Sequence, residues 1–317
     1  MVRTRPLGRT GLTVSERGFG AWAIGGASYG AVATDAALDA LARAEELGCN
    51  FVDTAAVYGE SEALLGRFLP GRRERWIVAS KYSGQPQGLT ALVDEQLQRL
   101  RTDRIELYQI HWAPRGRDEA LYEELERLRR SGKIRFVGVS LRSAGDVAHV
   151  LRQPGIDVLQ MPVSLLDPEP LRSTLPLLRS RGVGVIARSA LRGGFLTGKY
   201  GAASRFDAAG DQRGEWDAGR IAELARQAAA FDELSGETGS RLATALAYPL
   251  SFAEVSTLVL SCKDRAQVDA NLGAPPAALG EAALGRIEDI QRALGVGERP
   301  SVLRRLWKRA RGLLGGT

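Results

Sequence analysis

The 317-residue chain predicts an α/β fold, a (β/α)8 barrel. Short apolar runs alternate with amphipathic helical stretches along most of its length. Eight such runs occur, at 19–23, 51–54, 76–81, 105–111, 136–140, 158–160, 183–187 and 257–260. Most are continuous rather than alternating, as expected for strands covered on both faces. Eight βα units within about 260 residues fit a closed barrel better than a doubly wound sheet, which usually splits before reaching that many strands.

The helical stretches are 34–47, 61–68, 89–100, 119–131, 144–151, 169–180 and 220–238, with 241–250 as an extra helix and 264–271 after the eighth strand. Several end on a glycine that tolerates a left-handed stop, as Gly48, Gly132 and Gly182 do. Residues 5–17 read as a hairpin around Gly8–Gly11 that caps the N-terminal end of the barrel. No element is assigned to residues 272–298. The longest irregular piece, about 201–219, has the length of a functional lid. No Pro/Ser-rich linker divides the body, so residues 1–298 read as one domain and residues 299–317 as a separate tail.

Composition narrows the function. At 44% apolar and 25% charged, the chain has the make-up of a soluble globular protein. It lacks a signal-peptide core and any apolar run long enough to span a bilayer, so a cytoplasmic location is expected. The two cysteines, Cys49 and Cys262, form no CxxC or Cys/His cluster, and neither a disulfide framework nor a metal site is expected. The net charge of +6 belongs to the tail. Arg299, Arg304, Arg305, Lys308, Arg309 and Arg311 supply it, and without them 37 bases face 37 acids. A neutral body gives no footprint for nucleic acid. In the tail, Leu303, Leu306, Trp307, Ala310 and Leu314 form an apolar stripe opposite the basic residues. That helix can dock on the barrel, fill a partner's groove or lie on an anionic membrane surface.

A barrel of this kind places its active site at the C-terminal ends of the strands. There the sequence has Asp53, Lys81 and His111 at three consecutive strand ends, with Tyr58 in the loop after the second. A free tyrosine titrates near pH 10, about three units above neutral, and donates a proton poorly. A neighbouring ammonium favours the phenolate, and Lys81 can supply it. Asp53 would pair with Lys81 and so limit the cost of burying a lone cation. His111 would orient a carbonyl oxygen. This is a device for protonating an oxygen as it gains negative charge.

At these residues the chain resembles the aldo-keto reductase family, over residues 5–295. The resemblance is carried by Gly18-Phe-Gly-Ala-Trp22, Phe51-Val-Asp-Thr-Ala-Ala-Val-Tyr-Gly-Glu-Ser61, Ser80-Lys-Tyr82, Gln109-Ile-His-Trp112, Gly132-Lys-Ile-Arg-Phe-Val-Gly-Val-Ser140 and Gly193-Gly-Phe-Leu-Thr-Gly-Lys-Tyr200. It implies an NADPH-dependent oxidoreductase that reduces an aldehyde or ketone, a small-molecule carbonyl substrate, with Tyr58 as proton donor. NADH is the less favoured cofactor.

The resemblance also implies a cofactor site. Ser140 and Gln160 would hold the nicotinamide carboxamide, with Ala21 and Trp22 beside the cofactor. Ser189, Leu191 and Gly193 would follow the pyrophosphate. Lys263, Arg265, Gln267 and Asn271 would hold the adenosine 2′-phosphate end. A capping role for Asp264 and Gln267 is the competing reading of that segment. Trp22, Tyr82 and Trp112 would wall the substrate mouth.

Two departures stand out: Leu141 where the family usually has Asn, and Arg188 where many members stack a tyrosine. A second class of function, a cofactor-binding redox-sensing or regulatory protein of the same fold acting through a partner, is favoured only by the tail.

Overall fold

The computed structural model describes residues 2–26, 28–83, 88–112, 119–141, 143–153 and 155–296. The expected tail helix at 299–317 lies outside them.

The chain opens with a hairpin, β1 (Thr4–Pro6) antiparallel to β2 (Thr13–Ser15), with Arg5 opposite Val14. Eight parallel strands follow: β3 (Arg17–Gly20), β4 (Phe51–Asp53), β5 (Ile77–Tyr82), β6 (Ile105–Ile110), β7 (Ile134–Ser140), β8 (Ile156–Pro162), β9 (Gly184–Arg188) and β10 (Val255–Ser261). They close into a barrel in which β10 pairs with both β3 and β9. All eight predicted runs are strands, and the (β/α)8 class is the observed one. The first lies earlier than expected. Past Gly20 the pairing with β10 ends, the Ala21 N–H turns to the Asp53 carbonyl at 2.9 Å, and Ala23–Gly25 winds into a 3₁₀ turn.

The helices are α1 (Thr34–Glu46), α2 (Ser61–Phe68), α3 (Leu89–Leu100), α4 (Glu119–Arg130), α5 (Val147–Val150), α6 (Glu169–Arg172), α7 (Leu175–Arg181), α8 (Ala218–Ala229), α9 (Ser235–Thr238), α10 (Arg241–Leu250), α11 (Arg265–Asn271) and α12 (Glu281–Ala293). The predicted helix 169–180 is two pieces, because Pro176 near the start of α7 has no N–H to continue the ladder. The helix predicted over 220–238 stops at Ala229, and α9 ends on Gly239 at φ 91°. Helix α12 corrects the blank at 272–298. Its buried Ala283, Ile287 and Gln291 repeat at helical spacing and cover a cluster containing Phe195, Phe231 and Tyr248.

Side-chain parity builds the barrel interior. Successive inward positions are two residues apart, and the pairs read Phe51/Asp53, Ala79/Lys81, Leu107/Gln109 and Val158/Gln160. The first member of each is apolar and packs with Leu7 and Val14 of the hairpin. The second is polar and buried, one layer nearer the C-terminal ends. The hairpin therefore closes one end of the barrel, as expected, and leaves the polar layer facing the other. Gly8 fixes the seat: it lies at φ 52°, and a Cβ there would meet the Gly184 nitrogen at 2.2 Å.

Candidate active site

The polar layer gathers around Asp53. Its Oδ2 accepts a hydrogen bond from Lys81 Nζ at 2.6 Å, and its Oδ1 accepts from Gln109 Nε2 and Gln160 Nε2, each at 2.9 Å. Lys81 is fully buried and also donates to the Thr54 carbonyl at 2.8 Å. Burial by itself pulls the Lys81 ammonium toward neutrality. The charge of Asp53, then that of Tyr58, and hydrogen bonds to both outweigh burial and hold Lys81 above the ordinary lysine value. A cation thus persists at the barrel's centre, 4.8 Å from the centroid of the Tyr58 ring.

Tyr58 stands between two other aromatic groups. The Trp22 ring lies 5.9 Å away, and the His111 ring meets it edge-on at the same distance. His111 Nδ1 is 2.8 Å from Ser83 Oγ, which fixes the ring's orientation. The four groups predicted to converge do so. Asp53, Tyr58 and His111 line one cavity of about 960 Å³, and Lys81 lies directly beneath Tyr58.

The rest of that cavity receives most of the predicted cofactor residues. Trp22, Ser140, Gln160, Arg188, Ser189, Leu191, Gly193, Lys263, Gln267 and Asn271 line it. Ser140 Oγ donates to Gln160 Oε1 at 3.2 Å. Lys263 Nζ donates to the Tyr29 carbonyl at 2.7 Å. The capping reading of the next residues holds as well: Asp264 Oδ1 accepts from the Gln267 N–H at 2.8 Å, while Gln267 Oε1 accepts from the Lys263 N–H at 3.1 Å.

Four expected residues are placed elsewhere. Arg265 is held on the outside by Asp39 at 3.0 Å and Glu46 at 2.8 Å, so its charge is drawn toward α1. Ala21 is buried below the lining. Tyr82 is 2% exposed, because a step of one residue from the inward Lys81 sends its side chain outward, into the layer between sheet and helices. Trp112 packs against it at 5.2 Å between ring centroids. The two family departures prove to be linked. Leu141 buries its side chain in the core, and its carbonyl accepts from Arg188 Nη2 at 2.8 Å.

Some lining residues escaped the sequence reading. The 201–219 segment does reach the cavity, through an antiparallel bridge between Asp211 and Tyr29 and a bond from the Gln212 N–H to the Ser28 carbonyl at 3.0 Å. Arg213 pins it. Its guanidinium bonds Asp211 and the Gly193 carbonyl and lies 4.1–5.1 Å from the ring centroids of Phe206, Tyr200 and Tyr29. Tyr29 and Arg213 carried no sequence signal of their own. Gln109 did, since its parity with Lys81 and Asp53 marks it as inward.

The donor set suits an elongated anion. Arg188, Arg192, Lys199, Arg213 and Lys263 line the cavity, whereas Asp53, the one carboxylate among its described lining residues, is already paired with Lys81. The end of the closed barrel thus holds the Asp53–Lys81 pair beneath Tyr58, beside a cation-rich cleft. The profile of the Aldo/keto reductase family matches residues 18–292, and the chain belongs to that family, whose members act on small-molecule carbonyl compounds with nicotinamide cofactors.

Among its relatives, L-galactose dehydrogenase of Arabidopsis thaliana is 31% identical over 297 residues, which is 86% of this chain and 88% of that one. The NADH-specific methylglyoxal reductase of Escherichia coli is 32% identical over 226 residues, 61% of this chain and 68% of that one. Among solved structures, the holo form of aldo-keto reductase AKR11C1 from Bacillus halodurans superposes with a TM-score of 0.78 at 26% identity, over 96% of this chain and all of that one. The glycerol dehydrogenase AKR11B4 from Gluconobacter oxydans gives 0.79 at 26%, over 94% and 96% of the two chains. No helix among the described residues is long and apolar enough to cross a membrane.

Proposed function

We propose that this chain is an NADPH-dependent reductase of an aldehyde or ketone, with Tyr58 as proton donor. The observation that carries the reading is the buried Asp53–Lys81 pair set beneath Tyr58, with His111 alongside. When bound, the reduced nicotinamide would supply the hydride that the carbonyl carbon takes up. Tyr58 passes its hydroxyl proton to the carbonyl oxygen, completing the alcohol. The Lys81 cation opposes the negative charge left on Tyr58, and Asp53 holds Lys81 in place. His111 orients the substrate oxygen, and Trp22 walls the mouth. Ser140 and Gln160 would hold the carboxamide, and the cations of the cleft would meet the phosphates.

Replacing Tyr58 with Phe is expected to cut carbonyl reduction by about 10²–10⁴-fold while NADPH binding, followed by its fluorescence, stays within about twofold, because the ring and its packing remain. Full activity in that variant rejects the mechanism. The preference for NADPH rests on Lys263, since Arg265 is engaged by α1. Lys263→Glu is expected to weaken NADPH about tenfold to a hundredfold and to leave NADH nearly unaffected. Equal losses for both cofactors reject the preference.

A further inference from the structure

The loop that carries Tyr58 leaves β4 and enters α2, and its ends are joined by Thr54 Oγ1 and Ser61 Oγ, buried and 2.6 Å apart. The next residue, Glu62, is a carboxylate only 1% exposed that does not line the cavity. Its Oε1 accepts from Ser80 Oγ at 2.7 Å and from Gln96 Nε2 at 2.6 Å, and its Oε2 accepts from Arg99 Nε at 2.9 Å. Ser80 directly precedes Lys81. Gln96 also donates to Ser80 Oγ at 2.8 Å and accepts from the Tyr108 hydroxyl at 2.7 Å. One side chain in the first turn of α2 thus collects donors from β5 and α3.

A helix–sheet interface needs no such group. Apolar side chains of similar volume would pack there without desolvating a charge. What the carboxylate adds is direction. Two donors on one oxygen and one on the other fix the first turn of α2 relative to the strand that holds Lys81. The loop has no slack on its other side, because a Cβ on Gly25 would come within 1.8 Å of the Tyr58 carbonyl oxygen. We propose that Glu62 is a positioning residue that sets Tyr58 against Lys81 by tying α2 to β5. The proposal rests on the reading of Tyr58 as proton donor.

The test compares Glu62→Ala, which removes all three bonds, with Glu62→Gln, which keeps the shape but turns an amide N–H toward one set of donors. Expected for Glu62→Ala is a fall in kcat of about tenfold or more. KM for the carbonyl and Kd for NADPH should stay within about twofold. Glu62→Gln should fall between it and the wild type. Amide hydrogen exchange should quicken in residues 55–61 and stay unchanged in β6–β8. Should Glu62→Ala fail to fold, Glu62→Gln and Ser80→Ala carry the same readouts. Wild-type exchange in 55–61, or an unchanged kcat, overturns the proposal. So does exchange that quickens throughout the barrel with kcat, KM and Kd all worsening, since that marks general destabilisation. A wild type that binds NADPH but reduces no carbonyl counts against the reductase reading alone, and the exchange pattern still decides the tether.

Discussion

Asp53 bears the greatest responsibility of any single residue, because it keeps the fully buried Lys81 charged. Replacing it with Asn leaves a buried ammonium without its counter-charge, and urea unfolding at neutral pH is expected to show a loss of about 3–5 kcal/mol. The folded protein holds Lys81 above the ordinary lysine value. Its stabilisation is therefore complete below that value, about 10.4, and is lost only as pH rises further. Wild-type stability from this pair should stay flat from neutrality to about pH 9, while the gap to Asp53→Asn should narrow as pH rises, because burial then pulls the unpaired ammonium toward neutrality. The thiols are shifted in the same direction, but there burial itself is the cause. Burial pushes Cys262 up to about 12 and raises Cys49 as well. Neither should react with iodoacetamide in the folded protein at about pH 8, and both should once it is unfolded.

At the scale of elements, the hairpin and the irregular helices show what pattern reading can reach. The hairpin was legible from its turn glycines, but its contact with β9 was not. Gly8→Ala should be destabilising by about 2–5 kcal/mol, combining a left-handed conformation with overpacking against Gly184, and thermal unfolding would measure it. Helix α12 was legible too, since Ala283, Ile287 and Gln291 share one face, yet nothing in the barrel count called for it. The break inside 169–180 traces to Pro176 and to local bonds such as that from Thr174 Oγ1 to the Pro170 carbonyl at 2.7 Å, whereas that inside 220–238 follows Ala229, where a 3₁₀ turn at Asp232–Leu234 separates α8 from α9.

For the whole molecule, the net charge of +6 gives little information about ligand binding. The cations that would meet a phosphate are local, on the loops after β9 and β10, and the tail's charges are screened beyond about 10 Å at ordinary salt. A chain ending at residue 298 should lose cation-exchange retention near neutral pH and keep its NADPH affinity within about twofold. A marked loss of affinity would place the tail's charge in the cofactor site.

The sequence alone determined the barrel, because burial on both faces writes a continuous apolar run for each strand, and eight runs leave few other closures. It also determined which polar groups gather, since Asp53, Tyr58, Lys81 and His111 lie at or just after consecutive strand ends, where chain order predicts proximity. The tertiary structure alone decided what depends on direction and on distant partners. One step of parity sends Tyr82 into the outer layer while Lys81 points in. Two carboxylates on α1 draw Arg265 off the cavity that Lys263 lines. Tyr29 and Arg213 meet across more than 180 residues. A local pattern cannot encode these contacts, because each depends on where a remote segment comes to rest.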